Sequence, residues 1–139
     1  MVTARRYPGF VSEPPTTPRA TGACLCGGVR YRVVGPLRDV HVCHCGVCRR
    51  TEGGPAGYTA CDREHLELVE SGTLRWHEHD GARRGFCGEC GGRMFWSRAD
   101  RPTISIAAGT LDEPTGLRVV KHIYLDSAAD WDEQHEEGP

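Results

Sequence analysis

The chain has 139 residues and a formal charge of −2, with 18 glycines, 9 prolines and 8 cysteines in a sequence that is 38% hydrophobic. That length fits one domain with a modest core, and the charge gives no basic footprint for nucleic acid, since ionised thiols add only negative charge. Nothing is long and apolar enough to span a bilayer, and Met1 to Phe10 hold no export signal. The expectation is a soluble, cytoplasmic protein with neither a membrane nor a nucleic acid as partner.

Residues 1–20 carry Pro8, Pro14, Pro15 and Pro18 among Thr and Arg, without apolar periodicity, and read as a Pro-rich disordered arm. A single domain over 21–131 follows, built from short β signals. Val29, Tyr31 and Val33 alternate with Arg30 and Arg32 up to Gly35-Pro36, and Val40 and Val42 repeat the alternation and deliver Cys43 at a strand end. Gly46 through Arg50 suits one short helical turn. Further strands are expected at Gly57 to Cys61, Leu66 to Leu68, Leu74 to Trp76, before Cys87, at Met94 to Trp96, Thr103 to Ala107 and Val119 to Tyr124, with a turn over Gly109 to Pro114. Eight or nine short strands at spacings of about ten residues predict an all-β sandwich or small barrel with little helix. Residues 132–139 form an acidic tail.

Seven cysteines fall into three groups: Cys24 and Cys26; Cys43, Cys45 and Cys48; Cys87 and Cys90. Zinc takes four ligands in a closed structural site and three protein ligands where one position stays open. The outer pairs are too short to hold a metal alone and are natural partners for each other, which would clip together segments about sixty residues apart. The competing readings are unmetallated buried thiols or a redox pair at Cys87 and Cys90. Four disulfides in a secreted chain are disfavoured by the C-x-C and C-x-x-C spacings and the missing export signal.

The middle group is a self-contained three-sulfur cup. A fourth ligand is available in His44, which lies between two ligating positions where the backbone points it away, or in Cys61, which reads instead as a buried thiol in a strand. Without either, water or an exogenous thiol takes the last position. Arg49 and Arg50 follow directly, as solvated surface or as a clamp for a substrate carboxylate.

Cys24-x-Cys26-Gly-Gly-Val-Arg-Tyr31, Cys43-His44-Cys45-x-x-Cys48-Arg49-Arg50, Phe86-Cys87-x-x-Cys90-Gly91, Gly109-Thr110-Leu111-Asp112 and Lys121-His122-Ile123, in that order, resemble the glutathione-dependent formaldehyde-activating enzyme (GFA) family, whose relatives include centromere protein V. The resemblance covers residues 20–131. It implies a β-tent of antiparallel sheets and two Zn²⁺ per chain: a structural zinc on Cys24, Cys26, Cys87 and Cys90, and a catalytic zinc on Cys43, Cys45 and Cys48. It also implies carbon–sulfur lyase chemistry in which glutathione, or a similar small thiol, joins formaldehyde or another small aldehyde. Arg49, Arg50 and His44 are then the candidate substrate contacts. The alternative is a non-catalytic, zinc-stabilised β module that binds a thiol metabolite or a protein.

Overall fold

The computed structural model describes residues 17–133. The expected arm therefore lies outside the described residues except for 17–20, and the acidic tail except for 132–133. Ten strands, one seven-residue helix and three single 3-10 turns make up the described chain.

Strands β1 (Ala20–Ala23), β2 (Arg30–Val33) and β5 (Leu66–Glu70) form a small antiparallel sheet in the order β1-β2-β5. The large sheet takes β3 (Val40–Cys43), β4 (Ala56–Asp62), β6 (Leu74–His79), β7 (Ala82–Cys87), β8 (Arg93–Arg98), β9 (Thr103–Ala107) and β10 (Val119–Ile123). Its order is β10-β3-β4-β9-β8-β7-β6. The all-β class is as expected. One pair departs from the antiparallel pattern, because β10 lies parallel to β3. A long excursion after β9, which begins with the single 3-10 turn at Ala108–Thr110, returns the chain to that edge in the same direction as β3, which a tight hairpin cannot do.

β1 has no apolar alternation in its Ala-Thr-Gly-Ala sequence and is set by its partner. Gly22 lies opposite Tyr31, and a Cβ there would collide with the Tyr31 ring and the Thr110 carbonyl. Strand identity here comes from tertiary pairing and not from local propensity.

Side chains alternate across a strand, so each strand of the large sheet serves two faces. On one face Cys61 sits opposite Ile104 and Phe95 opposite Ile106. These residues join Val29, Tyr31 and Val33 of the small-sheet side in the main core. Tyr31 meets Phe95 edge-on at 5.5 Å between ring centroids and hydrogen-bonds Thr110 through its hydroxyl at 2.7 Å. On the other face a row runs across four strands: Arg84 opposite Trp96, Trp96 opposite Ser105, Ser105 opposite Ala60. Tyr58 extends this face toward β3, opposite His41, and Cys43 lies opposite Ala56. A second cluster of Cys48, Ala56 and Tyr58, backed by Cys43, Cys45 and Trp96, forms there.

Helix α1 (Gly46–Glu52) starts on Cys45, whose sulfur accepts the Cys48 amide at 3.2 Å. It stops at Gly53, which adopts φ 87° and returns its N–H to the Arg49 carbonyl at 2.8 Å. Among the described residues no helix is long and apolar enough to cross a membrane.

Candidate metal centres

The outer four sulfurs meet where the β1–β2 turn abuts the β7–β8 turn. The Sγ atoms of Cys24, Cys26, Cys87 and Cys90 all lie within 4.8 Å of one another. Cys24 and Cys26 are 3.8 Å apart, and Cys26 and Cys87 3.6 Å. A tetrahedron with zinc–sulfur bonds of about 2.3 Å has sulfur–sulfur edges of about 3.8 Å, so the donor set fits the ion. A disulfide, at about 2.05 Å, does not describe these distances, and all eight cysteines are free.

Backbone amides point at these sulfurs. Val29 N–H reaches Cys24 Sγ at 3.3 Å, while Glu89 and Cys90 amides reach Cys87 Sγ at 3.3 and 3.5 Å. Thr73 Oγ1 lies 3.2 Å from Cys87 Sγ. The Thr73 hydroxyl, followed by the Cys90 amide, holds the Cys87 thiol down at about 6. Such donors favour the thiolate, the form that binds metal.

The middle three sulfurs, Cys43, Cys45 and Cys48, also converge within 4.8 Å. Two come from the β3–α1 junction and one from the first turn of α1. Among the described residues no fourth His, Cys, Asp or Glu joins them. Cys61 belongs to the opposite face of the sheet, 3% exposed within the main core. The Cys48 contact, followed by the Cys45 amide, pulls the Cys43 thiol below its ordinary value, whereas Cys43 and burial push Cys48 up.

The cup floors a cavity of about 520 Å³. Arg38, Arg84, Arg98 and Arg101 line it, against one carboxylate, Asp80, with Tyr58 and Trp96 as walls. Arg101 stacks on Trp96 at 5.3 Å. Arg38 donates to the Tyr58 carbonyl at 2.9 Å, and burial lowers its pKa. Behind the cup is a buried polar chain: Tyr58 donates its hydroxyl to Glu52 at 2.6 Å, and Arg84 reaches Cys48 Sγ at 3.8 Å. Burial first, and the Glu52 carboxylate second, keep the Tyr58 hydroxyl protonated.

The other sequence candidates are placed differently. Arg49 and Arg50 line a separate opening of about 510 Å³, beside Cys45, Val47, His77 and His79. His44 is 2% exposed and does not line the large cavity. Its Nδ1 meets Asp132 at 2.6 Å and its Nε2 meets His122 Nδ1 at 2.9 Å, so both ring nitrogens are engaged away from the sulfurs. A third ligand group, Asp62, Glu64 and His65, is solvent-exposed to intermediate in burial and amounts to an i,i+3 pair, with His65 Nδ1 3.8 Å from Asp62.

Sequence reasoning missed Arg38, Glu52, Tyr58, Arg84, Arg98 and Arg101. The only local signal was parity: on β7, Arg84 shares its side of the strand with buried Ala82, whereas exposed Arg83 points away.

Fold and donors together define a β protein with two cysteine groups, each able to hold a metal ion, one four-coordinate and one with three sulfurs facing a cationic cavity. The GFA family model, glutathione-dependent formaldehyde-activating enzyme, matches residues 19–127, and the chain belongs to that family. It is similar to a Halomonas elongata protein described as "Putative glutathione-dependent formaldehyde-activating enzyme", 32% identical over 125 residues, covering 79% of this chain and 77% of that one. It also resembles a crystal structure of a Rhodobacter sphaeroides protein with a TM-score of 0.60 and 25% identity, over 73% of this chain and 98% of the other.

Proposed function

We propose that this protein is a zinc-dependent carbon–sulfur lyase of the GFA type, joining a carboxylate-bearing small thiol such as glutathione to formaldehyde or another small aldehyde. The observation that carries the reading is the three-sulfur group, Cys43, Cys45 and Cys48, opening onto a cavity lined by four arginines. Zinc held there supplies a Lewis acid that keeps a thiol ionised at neutral pH.

The chain's own residues do the rest. Arg38, Arg98 and Arg101 bind the carboxylates of the thiol, the guanidinium fork being suited to paired N–H···O bonds. Trp96 and Ile123 give the cavity apolar wall and limit its water. With the sulfur held over the cup, the small aldehyde enters from the open side. The sulfur lone pair forms the C–S bond, the carbonyl π pair moves to oxygen, and that oxygen takes up a proton equivalent to the one the thiol lost. No electrons are gained or lost overall. Tyr58 is not the proton source, because its hydroxyl is committed to Glu52. Orientation of thiol and aldehyde in one cavity is the main source of acceleration.

Cys24, Cys26, Cys87 and Cys90 hold the structural zinc in this reading. The domain is proposed to run over 21–131, with the arm and acidic tail flanking it, and eight free thiols suit a reducing compartment such as the cytoplasm. Exchange NMR on mixtures of glutathione and formaldehyde measures adduct formation against the uncatalysed background. Acceleration by the wild-type chain that is lost in Cys48→Ser supports the proposal. Thiol binding with no acceleration replaces it with the non-catalytic module.

A further inference from the structure

Among the described residues, Arg84 is the one cation within hydrogen-bond range of a sulfur of the three-cysteine group. It is 6% exposed, Nη2 lies 3.8 Å from Cys48 Sγ, and Nη1 stands 3.8 Å from Glu52 Oε2. Nη1 is buried and has no hydrogen-bond partner among the described residues. The Glu52 side chain is itself only 12% exposed, and it already accepts the Tyr58 hydroxyl at 2.6 Å. Glu52 therefore meets Arg84 at ion-pair range without a hydrogen bond. A buried guanidinium with an orphaned nitrogen is costly unless further negative charge lies against it.

The three-sulfur group supplies that charge. Three thiolates around a divalent ion leave one net negative charge, next to Nη2 of Arg84. We infer that Arg84 is the counter-cation of the Cys43, Cys45 and Cys48 centre, a positioning residue that holds Cys48 as a ligand and stabilises the loaded site, while Glu52, fixed by Tyr58, competes for the same charge. This rests on the proposed metal at that centre. It assigns opposite effects to two neighbours in one network: removing the Arg84 charge weakens metal binding, and removing the Glu52 charge does not.

The test is zinc competition with a chromophoric chelator, with the four-cysteine zinc as internal reference and Cys48→Ser to identify the middle-site ion. Arg84→Gln is expected to weaken the middle-site ion by about 10- to 100-fold, the usual cost of losing a residue that supports a ligand, while the reference ion is unchanged. Arg84→Lys, which keeps the charge, should fall between the two. Glu52→Gln keeps the shape and still accepts the Tyr58 hydrogen bond, and it should hold zinc at least as tightly as wild type. A packing role predicts that both Gln variants loosen the site, so weaker zinc in Glu52→Gln overturns the inference even where Arg84→Gln does not fold. Wild-type affinity in folded Arg84→Gln overturns it as well. A wild-type chain holding only the reference ion removes the proposed centre and this inference together, a result distinct from either variant outcome.

Discussion

Replacing Cys87 by Ser removes the most enclosed sulfur of the four-cysteine group, 0% exposed and the acceptor of two backbone amides. The clip it completes joins Cys26 to Cys87 across 61 positions. Treated as a cross-link, a loop of that length withholds about 4 kcal/mol of chain entropy from the unfolded state. A bound structural zinc is worth about 10–16 kcal/mol in all, against about 5–15 kcal/mol for the stability of a whole domain. Cys87→Ser should therefore lose at least the entropic part, lowering Tm by on the order of 15 °C or more, and is expected as insoluble or molten protein. Thermal unfolding followed by near-UV and far-UV circular dichroism, with chelator-treated wild type alongside, measures this. A soluble Cys87→Ser chain with native spectra and a Tm within about 5 °C of wild type would refute the idea that the metal clip fastens the two sheets.

Three smaller expectations concern the cavity, the β1 edge and the buried thiol. Arg101, stacked on Trp96 at the cavity, should act on thiol binding: Arg101→Ala raises KM for a carboxylate-bearing thiol roughly tenfold with kcat little changed, and a fall in kcat alone contradicts the assignment. Gly22→Ala drives a methyl into the Tyr31 ring and should cost about 1–3 kcal/mol in denaturant unfolding; an unchanged midpoint would show that β1 is not seated against Tyr31. Burial, then Asp62, pushes the Cys61 thiol up to about 11. Cys61 should therefore stay mostly protonated, and slow to alkylate, through the range near pH 9 where a free thiol ionises, its rate still rising as pH approaches 11. Iodoacetamide labelling of the folded, metal-loaded chain, with labelled positions counted by mass, checks this, and a Cys61 that reacts as fast as it does in the denatured chain contradicts its placement.

Much of this molecule was legible in the sequence because its organising residues act locally. Alternation in Val29-Arg30-Tyr31-Arg32-Val33 marks a strand with one buried face, and β2 occupies Arg30–Val33. The C-x-C and C-x-x-C spacings place pairs of sulfurs on single turns, so their grouping could be read before the fold was known, and the outer four do converge. β1 was not legible: its strand character comes from pairing with β2, and its glycine is explained only by the Tyr31 ring opposite. The arginines of the cavity were not legible either. Arg38, Arg84 and Arg98 stand on or beside different strands and reach one cavity only through the register of the large sheet. Adjacency in sequence drew attention instead to Arg49 and Arg50, which the helix carries to a neighbouring opening.

His44 illustrates the same limit. Its place between Cys43 and Cys45 already pointed it away from the sulfurs, as a strand end turns successive side chains to opposite sides, but not to its partners: His44 is buried against Asp132 and His122. Asp132 belongs to a stretch that composition alone assigns to an acidic tail.

The central claim is that Cys43, Cys45 and Cys48 form an open metal site that takes a thiol. Native mass spectrometry of the gently purified chain, with and without glutathione, tests it most directly, using Cys48→Ser as the paired variant. The account predicts two zinc ions per wild-type chain and a glutathione adduct, with the adduct and one zinc lost in a Cys48→Ser chain that stays folded. A single tightly held zinc and no adduct in the wild-type chain would contradict it.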